Sequence, residues 1–193
     1  MYDGADTVVL YEELAFQDVL PIVWRPMNSP FDRELAASFD ERNLRLLQAW
    51  DAMEEHVPLD KQKAEDAPYA AEIMRLDMKV NLLLDLVGQL LAANRPRPPA
   101  TPVRFNALGA TWQATTTGTL PEAGEQGVAE IYLRDCMAEP LRLVGRVTSV
   151  TPDRQIKVKF LPMGEAVSDL IEKLAFRRHR RQIAGARQPR RGP

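Results

Sequence analysis

Leu141-Arg142-Leu143-Val144-Gly145-Arg146-Val147-Thr148-Ser149-Val150-Thr151-Pro152-Asp153-Arg154-Gln155-Ile156-Lys157-Val158-Lys159-Phe160 reads as two strands joined by a hairpin. In its second half Ile156, Val158 and Phe160 alternate with Lys157 and Lys159, so one face is apolar and the other wet. Thr151 to Arg154 is the turn, with Pro152 preset for its first central position.

Working outward, β-branched residues and spaced glycines continue back to Thr101, giving further strands near residues 103–107, 111–116 and 128–133. Five or six short strands in so few residues predict a small antiparallel barrel. Downstream, Val167, Leu170, Ile171 and Leu174 form one apolar stripe on a helix that starts near Gly164 and caps the barrel. Upstream, Arg95-Pro96-Arg97-Pro98-Pro99 marks a boundary, because proline removes a backbone donor and clashes with the preceding turn.

Before that boundary the pattern is helical. Ser29 as N-cap, Pro30 at the first helical position and Asp32 in the first turn predict a helix over residues 30–57, ended by Pro58. A second is predicted over residues 68–93. There Ile73, Val80 and Val87 occupy heptad position a, and Leu76, Leu83 and Leu90 occupy position d. β-branched residues at a with leucine at d suit a two-stranded coiled coil. Met74, Met78, Leu82, Leu84, Leu86 and Leu91 make the flanks apolar as well, so the helix needs cover on more than one side. The first helix offers part of that cover through Phe39, Leu46 and Met53 at d and Asn43 and Trp50 at a. Asn43 would then be a polar seam residue that fixes register, or a surface amide if the frame drifts. Self-association through these two helices is expected, and heptads alone leave dimer and tetramer open.

The domain reading is therefore an extended segment at 1–29 belonging to the barrel domain, a heptad-repeat hairpin at 30–94 and a Pro/Arg linker at 95–100. A barrel with its C-terminal helix follows at 101–184, and a disordered basic tail at 185–193. The fold class is α+β.

Composition narrows the function. Of 193 residues 45% are apolar, enough for a buried core. No long uncharged apolar run and no secretory signal are evident, so a cytoplasmic location is expected. Cys136, His56 and His179 cannot complete a four-ligand zinc site, and no metal or cofactor is expected. Seven arginines and no acid lie in residues 177–193, leaving 18 basic against 27 acidic residues before them, a net of −9. An acidic body with a basic tail (Arg177, Arg178, Arg180, Arg181) is not the footprint of a nucleic-acid domain, and the tail suits a helix C-terminus or an acidic partner. There is no nucleophile elbow, phosphate loop or paired ligand cluster, so catalysis is not expected.

The run Val103-Arg104-Phe105-Asn106-Ala107-Leu108-Gly109-Ala110-Thr111-Trp112, the Val144–Val150 and Ile156–Phe160 segments and the Arg-rich terminal helix together resemble a PilZ domain. With heptad helices added, the chain resembles the atypical, tetrameric branch of that family across essentially its whole length. The resemblance implies a six-stranded barrel, a homo-oligomer with a tetramer expected, and bacterial cyclic di-GMP signalling linked to motility, surface attachment or virulence. Ordinary members hold the dinucleotide with an R-x-x-x-R segment ahead of the barrel and a D/N-x-S-x-x-G loop. Aligning Gly109 on the loop glycine puts Arg104 at the acidic position and Asn106 at the serine, and guanidinium can only donate. Ahead of residue 101 stand Arg95 and Arg97 at the wrong spacing. Arg142/Arg146, Arg177/Arg181 and Arg187/Arg191 have the spacing in the wrong places. Losing these charge-assisted bonds removes roughly 5 kcal/mol, over a thousandfold in affinity. The expected function is a non-enzymatic interaction scaffold with an unnamed signalling partner. The alternative is a true receptor whose site is rebuilt around Arg104 and Trp112.

Overall fold

The computed structural model describes residues 14–27, 33–54, 69–94, 97–115 and 119–186. Strand β1 (Phe16–Pro26) is followed by helices α1 (Arg33–Glu54) and α2 (Ala70–Asn94). Then come β2 (Ala100–Phe105), β3 (Gly109–Gln113), β4 (Gln126–Ile131), β5 (Leu141–Val150), β6 (Gln155–Phe160) and helix α3 (Glu165–Ala186). Ser29, Pro30 and Asp32, the Thr7–Tyr11 run, and Glu55 to Pro68 lie outside the described residues, so the predicted caps do too.

The six strands close into one antiparallel barrel in the order β1-β2-β3-β6-β5-β4. Its closure depends on β1, whose first half pairs with β2 (Phe16 opposite Phe105) and whose second half pairs with β4 (Ile22 opposite Ile131). Pro21 sits at the changeover, where its missing N–H costs no ladder bond and its carbonyl still accepts from Tyr132 N–H at 3.0 Å. The helices are thus inserted between the first and second strands of the barrel, rather than standing ahead of it.

The hairpin read from sequence is present. Thr151 N–H donates to Gln155 O at 3.0 Å, and Arg154 takes the left-handed conformation that ends the turn (φ 65°). β5 serves two neighbours, pairing with β4 from Leu141 and with β6 to Val150, and an irregularity between Val147 and Ser149 lets it turn the barrel's corner. The interior is filled by Val103, Phe105, Ile131, Leu141, Val147 and Val158, all essentially inaccessible. Val167, Ile171, Leu174 and Ala175 of α3 seal one end, as their stripe predicts. The helix continues to Ala186, two residues into the segment read as tail; residues 187–193 lie outside the described set.

Within the single chain α1 packs on the barrel. Leu47 and Trp50 are buried in the barrel's own core cluster, with Leu46 and Met53 packed against it and Phe39 half-buried beside the groove facing β5. Asn43 is 2% exposed, and its amide is matched to the backbone of β5: Nδ2 donates to Arg142 O at 2.7 Å and Oδ1 accepts from Arg142 N–H at 2.9 Å. Asn43 thus ties the helix to β5 of its own chain. Asp40 receives Gly164 N–H at 2.8 Å and holds the start of α3. Asp51 binds Lys173 at 2.7 Å and Arg177 on α3. The reason is geometric: α1 lies against both β5 and α3, so its apolar stripe faces its own barrel.

One charged cluster stiffens the β1–β4–β5 wall. Glu130, 9% exposed, accepts from Arg25 Nε at 2.6 Å and from Arg142 Nε at 3.0 Å. Burial pushes its carboxyl up, but the two guanidinium bonds outweigh that and hold it below the usual value. A lowered folded-state value stabilises above the unfolded glutamate range, near pH 4.3, and the contribution vanishes as pH falls through the folded value. Glu130→Gln is therefore expected to lower stability by about 1 to 3 kcal/mol at pH 7, with most of the weight on Arg142 because Arg25 is largely exposed. Urea melts of both proteins at pH 7 and pH 3.5 check this, and the deficit should shrink at the lower pH.

Candidate functional site

The loop between β2 and β3 is where the resemblance places ligand chemistry. Asn106 is 2% exposed there, and its Oδ1 accepts the N–H groups of Leu108 at 2.9 Å and Gly109 at 3.1 Å. Asn106 N–H also donates to Gly109 O at 3.0 Å, closing a tight turn. The amide oxygen at the motif's serine position is thus committed to the backbone, which is the usual local role of asparagine in turns. Arg104 stands opposite Gln17 and Thr111 on the half-buried outer wall. Trp112 is 5% exposed, belongs to the core cluster, and lines a pocket together with Trp24, Thr101 and Ile156.

Because β1 is the first strand among the described residues, residues 1–15 precede the barrel and 95–100 do not. Those fifteen residues contain Asp3, Asp6, Glu12 and Glu13 and no lysine or arginine. Arg97 has a different task. Only 11% exposed, it donates to the carbonyls of Arg134 at 3.1 Å, Asp135 at 3.0 Å and Met137 at 2.6 Å, and lies over the Tyr132 ring at 5.1 Å. It staples the chain leaving α2 to the loop after β4. Arg142 is held by Glu130, Glu139 and Asn43.

α2 presents the second candidate surface. Its seam residues Ile73, Leu76, Val80, Leu83, Val87 and Leu90 are 44% to 65% exposed, and Met74, Met78, Leu82 and Leu86 are exposed beside them. Gly88 marks where the helix touches its own barrel: a Cβ there would lie 3.2 Å from the Asp135 carbonyl carbon and from Cys136 N. So a close glycine contact and the Arg97 staple fix the C-terminal end of α2, while the long apolar face stays open. No helix among the described residues is long and apolar enough to cross a membrane.

The tail arginines divide. Arg177 binds Asp51, Arg178 binds Asp18 at 2.7 Å, and Arg180 lies over Phe176 at 5.7 Å. Arg177, Arg178 and Arg181 also line one cleft with Arg134. The i, i+4 spacing of Arg177 and Arg181 was visible in the sequence; its convergence with Arg134 was not.

A family model described as "Atypical PilZ domain, cyclic di-GMP receptor" matches residues 47–188. The chain belongs to the atypical PilZ family. A solved structure of a pathogenic protein from Xanthomonas campestris, described as a new tetrameric PilZ domain self-assembled via a helical bundle, superposes with a TM-score of 0.70. It shares 24% identity over 94% of this chain and 96% of that one, which establishes the common fold. No curated protein sequence matches this chain. As an atypical PilZ domain, the chain has the closed six-stranded barrel, with Arg104 and Asn106 leading into the β2–β3 turn that ends at Gly109.

Proposed function

We propose that this PilZ protein is a non-enzymatic scaffold in cyclic di-GMP-linked signalling. It assembles through α2, as a tetramer, and does not bind the dinucleotide itself. The observation that carries the reading is the open face of α2, whose six seam positions are at least 44% exposed in the single chain. Contiguous apolar surface on this scale marks an association site, and a heptad helix with apolar flanks calls for more than one neighbour. The tetrameric Xanthomonas relative, assembled via a helical bundle, supports the same arrangement.

The loop chemistry supports the second half. Asn106 Oδ1 serves the β2–β3 turn, Arg104 replaces an acceptor with a donor, and residues 1–15 supply no cation. Isothermal titration of cyclic di-GMP into the full-length protein at physiological salt should give no heat up to about 100 µM, as the loss of roughly three decades of affinity requires. Saturable binding below about 10 µM would replace the scaffold with a receptor that uses a non-consensus site.

A further inference from the structure

The barrel has two ends, and α3 packs over the one where β1 begins, with Arg178 bound to Asp18 and lying over the Phe16 ring. At the other end, where β1 and β3 finish and β2, β4 and β6 start, the chain forms a cleft of about 310 Å³. We propose that this mouth is a binding site for a small organic cation, an ammonium group carried on a single ring.

The floor of the cleft is apolar and fixed. Ile22, Trp112 and Ile156 line it, are each no more than 6% exposed and belong to the core cluster. Thr101 beside them is buried, and its hydroxyl donates to Gln113 O at 2.9 Å. The rim carries the chemistry. Trp24 lies close against β4 because residue 127 is glycine: a Cβ there would fall 2.6 Å from the indole ring. Its Nε1 donates to Glu125 at 2.6 Å, so an aromatic ring and a carboxylate are held side by side.

Glu125 is the one ionisable side chain among the described lining residues, and no lysine, arginine or histidine is among them. Arg154 and Arg146, on neighbouring segments, stand outside the lining and donate to backbone oxygens, Thr115 O at 2.6 Å and Gly124 O at 3.4 Å. A carboxylate offers about four acceptor positions. Besides the indole N–H, Glu125 accepts the Glu122 N–H at 3.4 Å, which leaves capacity for a ligand donor.

These features select the ligand class. The volume is twice that of a cavity of about 150 Å³ that encloses benzene, and it stands at the lower bound of small-molecule clefts, so a single ring with a short arm fits. Indole attracts cations more strongly than the other aromatic side chains, and an ammonium donating to a carboxylate makes a charge-assisted bond. An anion would meet Glu125 and no lining cation. The β2–β3 turn lies at the far end of the barrel, where Phe16 pairs with Phe105, so the site is independent of whether the dinucleotide binds there.

Calorimetric titration of the full-length protein with phenethylamine, phenylethanol and phenylacetate separates charge from shape, because the three probes share one ring and a short arm. The amine should bind with Kd at or below about 1 mM, the alcohol at least about tenfold more weakly, and phenylacetate not at all. Fluorine spectra of protein labelled with fluorotryptophan locate the ligand. The signals of Trp24 and Trp112 should move with the amine, and that of Trp50, in the cleft beneath α3, should stay. Glu125→Gln keeps an acceptor for Trp24 Nε1 and should erase the amine's advantage over the alcohol. If that variant fails to fold, the spectra of the unaltered protein still decide. Four outcomes would overturn the site: no amine binding up to about 10 mM, equal affinity for the three probes, movement of Trp50 without Trp24 and Trp112, or a preference for the amine that survives in folded Glu125→Gln.

Discussion

Leu76→Glu/Leu83→Glu should convert the protein from an oligomer into a monomer of 21.8 kDa in light scattering, with its barrel intact. Both side chains are more than 60% exposed in the single chain, so the substitutions remove no intramolecular packing. In an assembly each buried leucine contributes about 1.5 to 3 kcal/mol, and two such positions are lost from every subunit. Each glutamate then adds a desolvation penalty of several kcal/mol against an apolar neighbour. In the proposed assembly these losses recur in every subunit, against association energies that saturate at about 20 kcal/mol. Near-UV circular dichroism should match the parent, because Trp24, Trp50 and Trp112 report on the barrel. An unchanged mass would reject α2 as the seam, whatever the barrel does. The parent's own mass decides between a dimer, favoured by β-branched a positions, and the tetramer that Met74, Met78, Leu82 and Leu86 favour by needing further cover.

Gly145→Val should give the largest loss of stability. Gly127 and Gly145 face each other across β4 and β5. A Cβ on Gly145 would lie 2.6 Å from Val158 Cγ1 and 2.7 Å from Lys159 O, and one on Gly127 would lie 2.5 Å from Arg25 O and 2.6 Å from the Trp24 indole. The pair thus makes a shallow place in the wall. Trp24 covers β4 there, its Nε1 donating to Glu125 at 2.6 Å. At Gly145 one obstructing atom is a backbone oxygen of β6, which cannot rotate away, and valine adds two methyls beyond the Cβ. Overpacking of this kind costs about 3 kcal/mol or more, a fall of roughly 10 °C in Tm for a domain this size. Thermal unfolding followed by circular dichroism measures it, and a fall below about 3 °C would mean that β5 and β6 separate easily.

Particular residues show how far the sequence could be read. Ile156, Val158 and Phe160 alternate in sequence and point inward in the barrel, because a strand's period of two fixes which side chains share a face. The stripe of α3 and the proline boundary before β2 were legible for the same local reason. Gly109 opens β3. Asn43 shows the limit. Its heptad position is real, yet the surface its face meets is β5 of its own chain and not another helix. Asp51 is similar: its charge was plain, and its partners, Lys173 and Arg177, are more than a hundred residues away.

By itself the sequence determined the strand and helix periods, the apolar face of α2 and the family. Only the tertiary structure decided that β1 closes the barrel between β2 and β4, making α1 and α2 an insertion. It also decided that α1 belongs to the barrel, and that Arg134 meets the arginines of α3. The physical reason is that periodicity is a property of neighbours a few bonds apart. The partner of a face is chosen by closure of the whole sheet, in which Phe16 must find Phe105 and Ile22 must find Ile131 across the inserted helices.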